Sequence, residues 1–162
     1  NLPYNISTEI LCKWILNIKN KKFWFDNLIL MFQKEVADRI FTEFNTKNYG
    51  RLSILANWKL EIDKICDIGP GSFSPKPKVN SSLLFLKPKK NFPQFKDPKN
   101  LEKITRIFFN QRRKKIKKPF NILFKNKEYL IKKLKLDLNL RPQNISIETF
   151  FNITKEYEES IN

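Results

Sequence analysis

The 162-residue chain opens on Asn1, Leu2, Pro3 and Tyr4, four residue types that together can act on a planar, conjugated amine. The nitrogen of such an amine is a poor nucleophile because its lone pair is delocalised into the ring. Two hydrogen-bond acceptors, each taking one N–H, draw that nitrogen toward a tetrahedral and reactive geometry. The Asn1 side-chain oxygen and the Leu2 carbonyl are suited to this. Pro3 stiffens the loop, and Tyr4 offers a ring face for a base to stack on, a contact worth about 1–3 kcal/mol. Nothing in this chemistry requires a titrating group, and the chain contains no histidine. That absence also removes Ser-His and Cys-His catalysis and the common zinc sites. As a bare tetrapeptide NLPY is equally an ordinary turn, so its weight comes from its setting.

The elements that would position this loop follow from periodicity. Ile10, Leu11, Trp14, Ile15 and Ile18 recur at helical spacing and predict a helix over 7–19, with Ser7 or Asn5 as its N-cap. The apolar run 27–32 predicts a strand buried on both faces. Residues 33–43 follow as a helix with Val36, Ala37, Ile40 and Phe41 inward, and 52–58 is helical after the break at Tyr49 and Gly50. Leu60, Ile62 and Ile65 alternate loosely, as in a strand over 59–68. The loop 69–78 is rich in glycine and proline, and 79–86 is a further strand ended at Pro88. The lysine- and proline-rich segment 87–98 reads as a linker. Beyond it the pattern is purely helical: Leu101, Ile104 and Phe108, then Leu130, Ile131 and Leu134, then Ile147, Phe150, Phe151, Thr154 and Tyr157, with Ser146 as the last N-cap. This order resembles the second half of an open α/β sheet followed by a small helical domain.

The charge is uneven. Thirty-two Lys and Arg oppose sixteen Asp and Glu, a net of +16, which favours a polyanionic partner. Residues 87–135 carry eighteen basic and three acidic side chains, whereas 136–162 carry two and five. A solvated surface from a lysine-favouring genome is the bland alternative. No apolar stretch reaches the length of a spanning helix and no signal peptide opens the chain, so a soluble, cytoplasmic monomer without a metal is expected. Cys12 and Cys66 have no metal-ligand spacing and are expected to be buried thiols.

Six blocks recur in order along the chain: NLPYNIS (1–7), FQKEVADRI (32–40), YGRLSILA (49–56), FSPKPKVNSSLLFL (73–86), FFNQRRKKI (108–116) and LRPQNIS (140–146). On these the chain resembles the small-subunit ribosomal RNA adenine dimethyltransferase family, of the KsgA type. The resemblance implies an enzyme that moves methyl groups from S-adenosyl-L-methionine to two adjacent adenosines in a 3′-terminal hairpin loop of 16S rRNA, during ribosome biogenesis. It makes Asn1, Leu2, Pro3 and Tyr4 the catalytic loop, with Asn1 also meeting the methyl donor. Phe73 would clamp a flipped adenine from the side opposite Tyr4; its bland reading is a loop phenylalanine plugging the core. Arg112, Arg113, Lys114 and Lys115 match a basic helix that grips rRNA phosphates, and Arg51, Lys76 and Lys78 are added as RNA contacts. The implied fold is the second half of a Rossmann-like methyltransferase sheet over 1–88, followed by a helical rRNA-binding domain over 89–162.

Two departures accompany the resemblance. Asn80 stands where the family typically has aspartate. The glycine-rich loop and the acidic residue that cradle S-adenosylmethionine are missing, since Gly50, Gly69 and Gly71 are the only glycines. Those elements are expected upstream of Asn1, which makes this an N-terminally truncated chain expected to be inactive and unstable by itself. Two other readings stay open. A large-subunit rRNA adenine N6-methyltransferase, like DNA adenine methyltransferases, shares the logic of the opening loop, although YGRLSILA and FFNQRRKKI favour the small-subunit family. A non-catalytic RNA-binding ribosome-assembly factor could dock through the basic lobe alone.

Overall fold

A computed structural model describes residues 2–18, 22–125 and 127–161. The elements run α1 (Ser7–Asn17), β1 (Leu28–Gln33), α2 (Lys34–Ile40), α3 (Arg51–Lys59), β2 (Leu60–Ile68), β3 (Ser81–Pro88), α4 (Pro98–Phe109), α5 (Lys117–Leu123), α6 (Lys127–Leu134) and α7 (Ile147–Ser160), with single 3₁₀ turns at Pro70–Ser72 and Pro142–Asn144. Contacts divide the chain into two compact units, 1–42 with 55–92 and 43–54 with 93–162.

The first unit is mixed α/β. Its three strands lie in the order β1-β3-β2, with β3 antiparallel to both neighbours, so β1 and β2 run parallel and are joined through α2 and α3. Register is set at the head of β3, where Ser81 faces Gln33 on one side and Ile68 on the other. Side chains alternate across the pleat. Leu30 and Phe32 on β1, Leu60 and Ile62 on β2, and Leu84 and Leu86 on β3 turn into the core with Leu11 and Ile15 of α1. The run on β1 is therefore buried on one face and not both: Ile29 is 58% exposed. On β2 the register shifts between Lys64 and Cys66. The bulge turns Ile65 outward, against the expected alternation, and leaves Cys66 exposed and not buried; Cys12 is half-buried. Phe41, expected inward, is exposed because α2 already ends at Ile40.

The loop 69–80 returns the chain from β2 to β3, and its ends are pinned by the Ile68–Ser81 pair. The expected linker is not free chain. The Lys89 amide donates to the Lys59 carbonyl at 2.9 Å, and Phe92 is buried with its ring edge-on to Phe23 and Trp58.

The second unit is helical. Asp97, not read as a cap from the sequence, caps α4 by accepting from the Lys99 amide, with Pro98 in the first turn, whereas Ser146 caps α7 by accepting from the Thr149 amide, as read from the sequence. Leu101, Ile104 and Phe108 of α4 meet Phe150, Ile153 and Tyr157 of α7 in a core that also holds Phe120 of α5 and Phe124 just after it. Glu158, buried on α7, accepts from the Lys96 and Asp97 amides and from the Asn100 side chain, which satisfies the exposed donors before α4. Residues 43–54 join this unit, unlike the boundary at 88 drawn from sequence, through a backbone hydrogen bond, a ring contact and an ion pair. The Asn45 amide donates to the Gln143 carbonyl, Tyr49 packs its ring against Phe109, and Arg51 pairs with Glu102 at 3.7 Å. No described helix is long and apolar enough to cross a membrane.

Candidate active site

Within the α/β unit, a cavity of about 260 Å³ is lined by Leu2, Pro3, Tyr4, Met31, Phe73, Pro75 and Pro77. Four of the five residues read as catalytic from the sequence, Leu2, Pro3, Tyr4 and Phe73, thus line one space. The fifth, Asn1, lies outside the described residues. Phe73 faces the cavity and is not among the buried core residues, so the plug reading does not describe it.

The loop bearing Tyr4 is held by its own chain. The Ile6 amide donates to the Pro3 carbonyl at 3.2 Å, and the Ser7 hydroxyl donates to the Tyr4 carbonyl at 3.2 Å. Ser7 is therefore the first residue of α1 and not its N-cap; Ile6 takes the cap position without a side-chain bond. The Tyr4 phenol is hydrogen-bonded to the buried Ser81 hydroxyl at 2.6 Å. Beside it, Ser82 donates to Asp67 at 2.6 Å, and Asp67 also receives the ammonium groups of Lys64 and Lys34. Those bonds hold the Asp67 carboxyl well below the usual carboxylate range, the Lys64 bond first, and hold the Lys34 ammonium above its ordinary value. Asn80 contributes through its backbone, whose carbonyl accepts from the Lys34 amide at 2.9 Å, a bond that aspartate there would make as well.

At the far end of α1 sits a residue that sequence reasoning passed over. The Lys59 ammonium donates to the carbonyls of Ile15 and Ile18 at 2.8 and 2.9 Å, with the face of Trp58 4.0 Å away. It bonds carbonyls at the C-terminal end of α1 and its cap from inside the core. Burial pushes it down to about 8.

The walls of the Tyr4 cavity suit a flat, stacking group: two aromatic rings, three prolines and a methionine sulfur, with no carboxylate. Met31, Pro75 and Pro77 were not predicted; only the fold brings β1 and the loop 69–80 to Tyr4. Among the described residues there is no glycine-rich cradle for the methyl donor. No described glycine has the positive φ of a phosphate- or nucleoside-cradling loop, and nothing crowds the space where a Cβ would stand at Gly50, Gly69 or Gly71. Among the described residues, no group of three His, Cys, Asp or Glu side chains converges as a metal site.

The basic residues separate by role. Arg113, Lys114 and Lys115 are exposed, but in a turn after α4 and not on a helix. Arg112 is spent on the fold: it donates to the carbonyls of Thr46 and Lys47 and to the Gln143 side chain. Arg51 is likewise tied to Glu102. Lys76 and Lys78 are exposed on the loop that carries Phe73. In the helical unit, Gln111, Lys114, Lys115, Lys117, Lys118, Asn121 and Ile122 line a cavity of about 600 Å³, with Ile122 64% exposed. Lys117, Lys118, Asn121 and Ile122 belong to α5, a helix that the periodicity of the sequence did not reveal.

Comparison with known proteins adds an independent line. A family model described as "Ribosomal RNA adenine dimethylase" matches residues 1–159. Ribosomal RNA small subunit methyltransferase A of Pelagibacter ubique is 66% identical, covering 98% of this chain and 60% of that protein. The protein of the same name from Ehrlichia ruminantium is 45% identical, covering 94% of this chain and 57% of that protein. The chain thus spans about 60% of the length of the curated relatives it matches. Among solved structures, a dimethyladenosine transferase from Plasmodium falciparum has a TM-score of 0.78 at 26% identity, covering 98% of this chain and 65% of that one. The 23S rRNA methyltransferase ErmE, at 17% identity and a TM-score of 0.63, is alike in fold alone.

Proposed function

The chain belongs to the ribosomal RNA adenine dimethylase family, and from that premise we propose that the whole protein is an S-adenosylmethionine-dependent 16S rRNA adenine N6,N6-dimethyltransferase. Its target is two adjacent adenosines in a hairpin loop near the 3′ end of small-subunit rRNA, on the maturing subunit in the cytoplasm, and it acts as a monomer. The observation that carries this reading is the meeting of Tyr4 and Phe73, from loops far apart in sequence, at one cavity that Leu2 also lines.

Bases in a hairpin loop are already partly unstacked, so extruding one costs little. Tyr4 and Phe73 take its two faces. The Leu2 carbonyl and the Asn1 amide oxygen each accept one N–H of the amine, which pyramidalises the nitrogen and directs its lone pair along one line. Much of the rate acceleration comes from holding that line. The three strands form the distal part of a larger, Rossmann-like sheet; in support, β1 has one unpaired edge among the described residues and an exposed Ile29. The lysines around the second cavity, with Arg113, Lys76 and Lys78, meet rRNA phosphates and supply affinity that falls steeply with salt.

Replacing Asn1 by alanine in the whole protein abolishes tritiated-methyl incorporation into immature small subunits and leaves subunit binding intact. Turnover at the wild-type rate in that variant refutes the assignment.

A further inference from the structure

We propose that Ser81 is a positioning residue whose buried hydroxyl, bonded to the Tyr4 phenol, sets the gap between Tyr4 and Phe73 and so the slot that receives the target base. The inference rests on the reading of that cavity as the adenine site.

Three observations converge on Ser81. It is fully buried, at the head of the central strand, with Gln33 opposite on β1 and Ile68 opposite on β2. A residue paired on both sides is among the least mobile points of a sheet. Its hydroxyl meets the Tyr4 phenol at 2.6 Å, while the Tyr4 carbonyl is held by the Ser7 hydroxyl. Tyr4 is thus gripped at its carbonyl and at its ring tip, which removes the freedom to rotate about its side-chain torsions. The third observation concerns the opposite wall. Phe73, Pro75 and Pro77 sit on the loop 69–80, and that loop closes on the Ile68–Ser81 pair. One residue therefore references both walls: its backbone ends the loop of Phe73, and its side chain anchors Tyr4.

A phenol that lines a half-open cavity can satisfy its hydroxyl with water, so the bond to Ser81 is not needed for solvation. What it adds is orientation, and orientation is read in turnover and not in affinity. Binding to the subunit is carried by phosphate contacts elsewhere, so the KM for subunits is insensitive to the tether.

The test uses the whole protein, immature small subunits and three variants, Ser81→Ala, Tyr4→Phe and the double substitution. Each single change lowers kcat about threefold to tenfold, the range that one net hydrogen bond supplies, with KM for subunits unchanged. The double variant is no worse than either single one, because both remove the same bond. A hairpin RNA with 2-aminopurine at the target position reports the same event: stacking on Tyr4 quenches its fluorescence on binding, and Ser81→Ala leaves it brighter. If Ser81→Ala melts early, Tyr4→Phe, which leaves the strand untouched, carries the test alone. Additive effects, or wild-type kcat and quenching in both single variants while Tyr4→Ala is impaired, overturn the role of Ser81 and leave the function standing. Full activity in Tyr4→Ala overturns the reading of the cavity itself.

Discussion

In the α/β unit, a cavity of about 260 Å³ is walled by Tyr4, Phe73, Met31 and three prolines, and no lysine or arginine lines it. In the helical unit, a cavity of about 600 Å³ is rimmed by Lys114, Lys115, Lys117 and Lys118 around an exposed Ile122. The first can grip only something flat and partly apolar, and it is indifferent to ionic strength. The second attracts polyanions at a distance and weakens as salt screens it. On the proposed function, recognition of the base and attraction to the nucleic acid fall to different materials: aromatic faces and backbone acceptors select, while flexible ammonium groups hold.

That division can be broken most sharply at the aromatic walls. Tyr4→Ala or Phe73→Ala in the whole protein lowers methyl transfer about fivefold to more than a hundredfold, the worth of one stacked base, with subunit affinity and its salt dependence unchanged. Single-turnover kinetics on immature subunits measures this, and a parallel loss of affinity would merge the two cavities into one function.

The converse experiment is to replace Lys114, Lys115, Lys117 and Lys118 together by alanine. Affinity then falls at least tenfold at low salt, and the slope of log K against log salt becomes shallower by about 0.7–0.9 for each phosphate that the variant no longer neutralises. Turnover at saturating subunit concentration stays near wild type. Filter binding across a salt series reads the slope; an unchanged slope removes RNA from that surface.

A third measurement separates the buried lysine of the first unit from the surface lysines of the second. Lys59 is 2% exposed, and burial lowers it to about 8 from an ordinary value of 10.5. Between those values the unfolded chain holds a proton that the folded chain has released, so stability rises with pH across that window and is flat, from this group, below it. The gain is about 3 kcal/mol in total. A neutral amine keeps two N–H donors, enough for the carbonyls of Ile15 and Ile18. Denaturant melts at intervals from about pH 7.5 to 10.5, spanning that window, check this: relative to Lys59→Met, the wild type gains stability as pH rises, and parallel curves would show that Lys59 is not the titrating group.

The smallest effect belongs to Arg112. Because its guanidinium is occupied by the carbonyls of Thr46 and Lys47 and the side chain of Gln143, Arg112→Ala costs about 1–3 kcal/mol of stability and changes RNA affinity less than Lys114→Ala does. Thermal melts together with filter binding distinguish it from its neighbours in sequence.

The pattern of what was legible follows from how far each property reaches. The helix cap at Ser146, the strand over 79–86 and the helical stripe of Leu101, Ile104 and Phe108 depend on neighbours a few residues away, and local composition carries them. Ile65 and Cys66 were misplaced because a bulge is decided by the partner strand. Phe41 was misplaced because the helix ended one residue before it. Within the basic run FFNQRRKKI, the four cations read as equivalent, yet Arg112 is consumed by carbonyls of a segment more than sixty residues away, as its hydrogen bonds to Thr46 and Lys47 record. α5 was unread because its seven residues KKPFNIL show too short a period to separate from coil.

Residue chemistry alone determined that an amide oxygen, a proline-stiffened carbonyl and an aromatic ring stand adjacent in four residues, the set that the proposed chemistry needs, and adjacency needs no fold. It determined as well that the excess charge lies in one third of the chain. Only the tertiary structure decided that Phe73, Met31 and the loop prolines stand at the same space as Tyr4, and that the anchor between them is a serine at the head of β3. Such encounters depend on strand order and register, which are set by the burial of whole faces and not by any stretch of sequence short enough to be read in isolation.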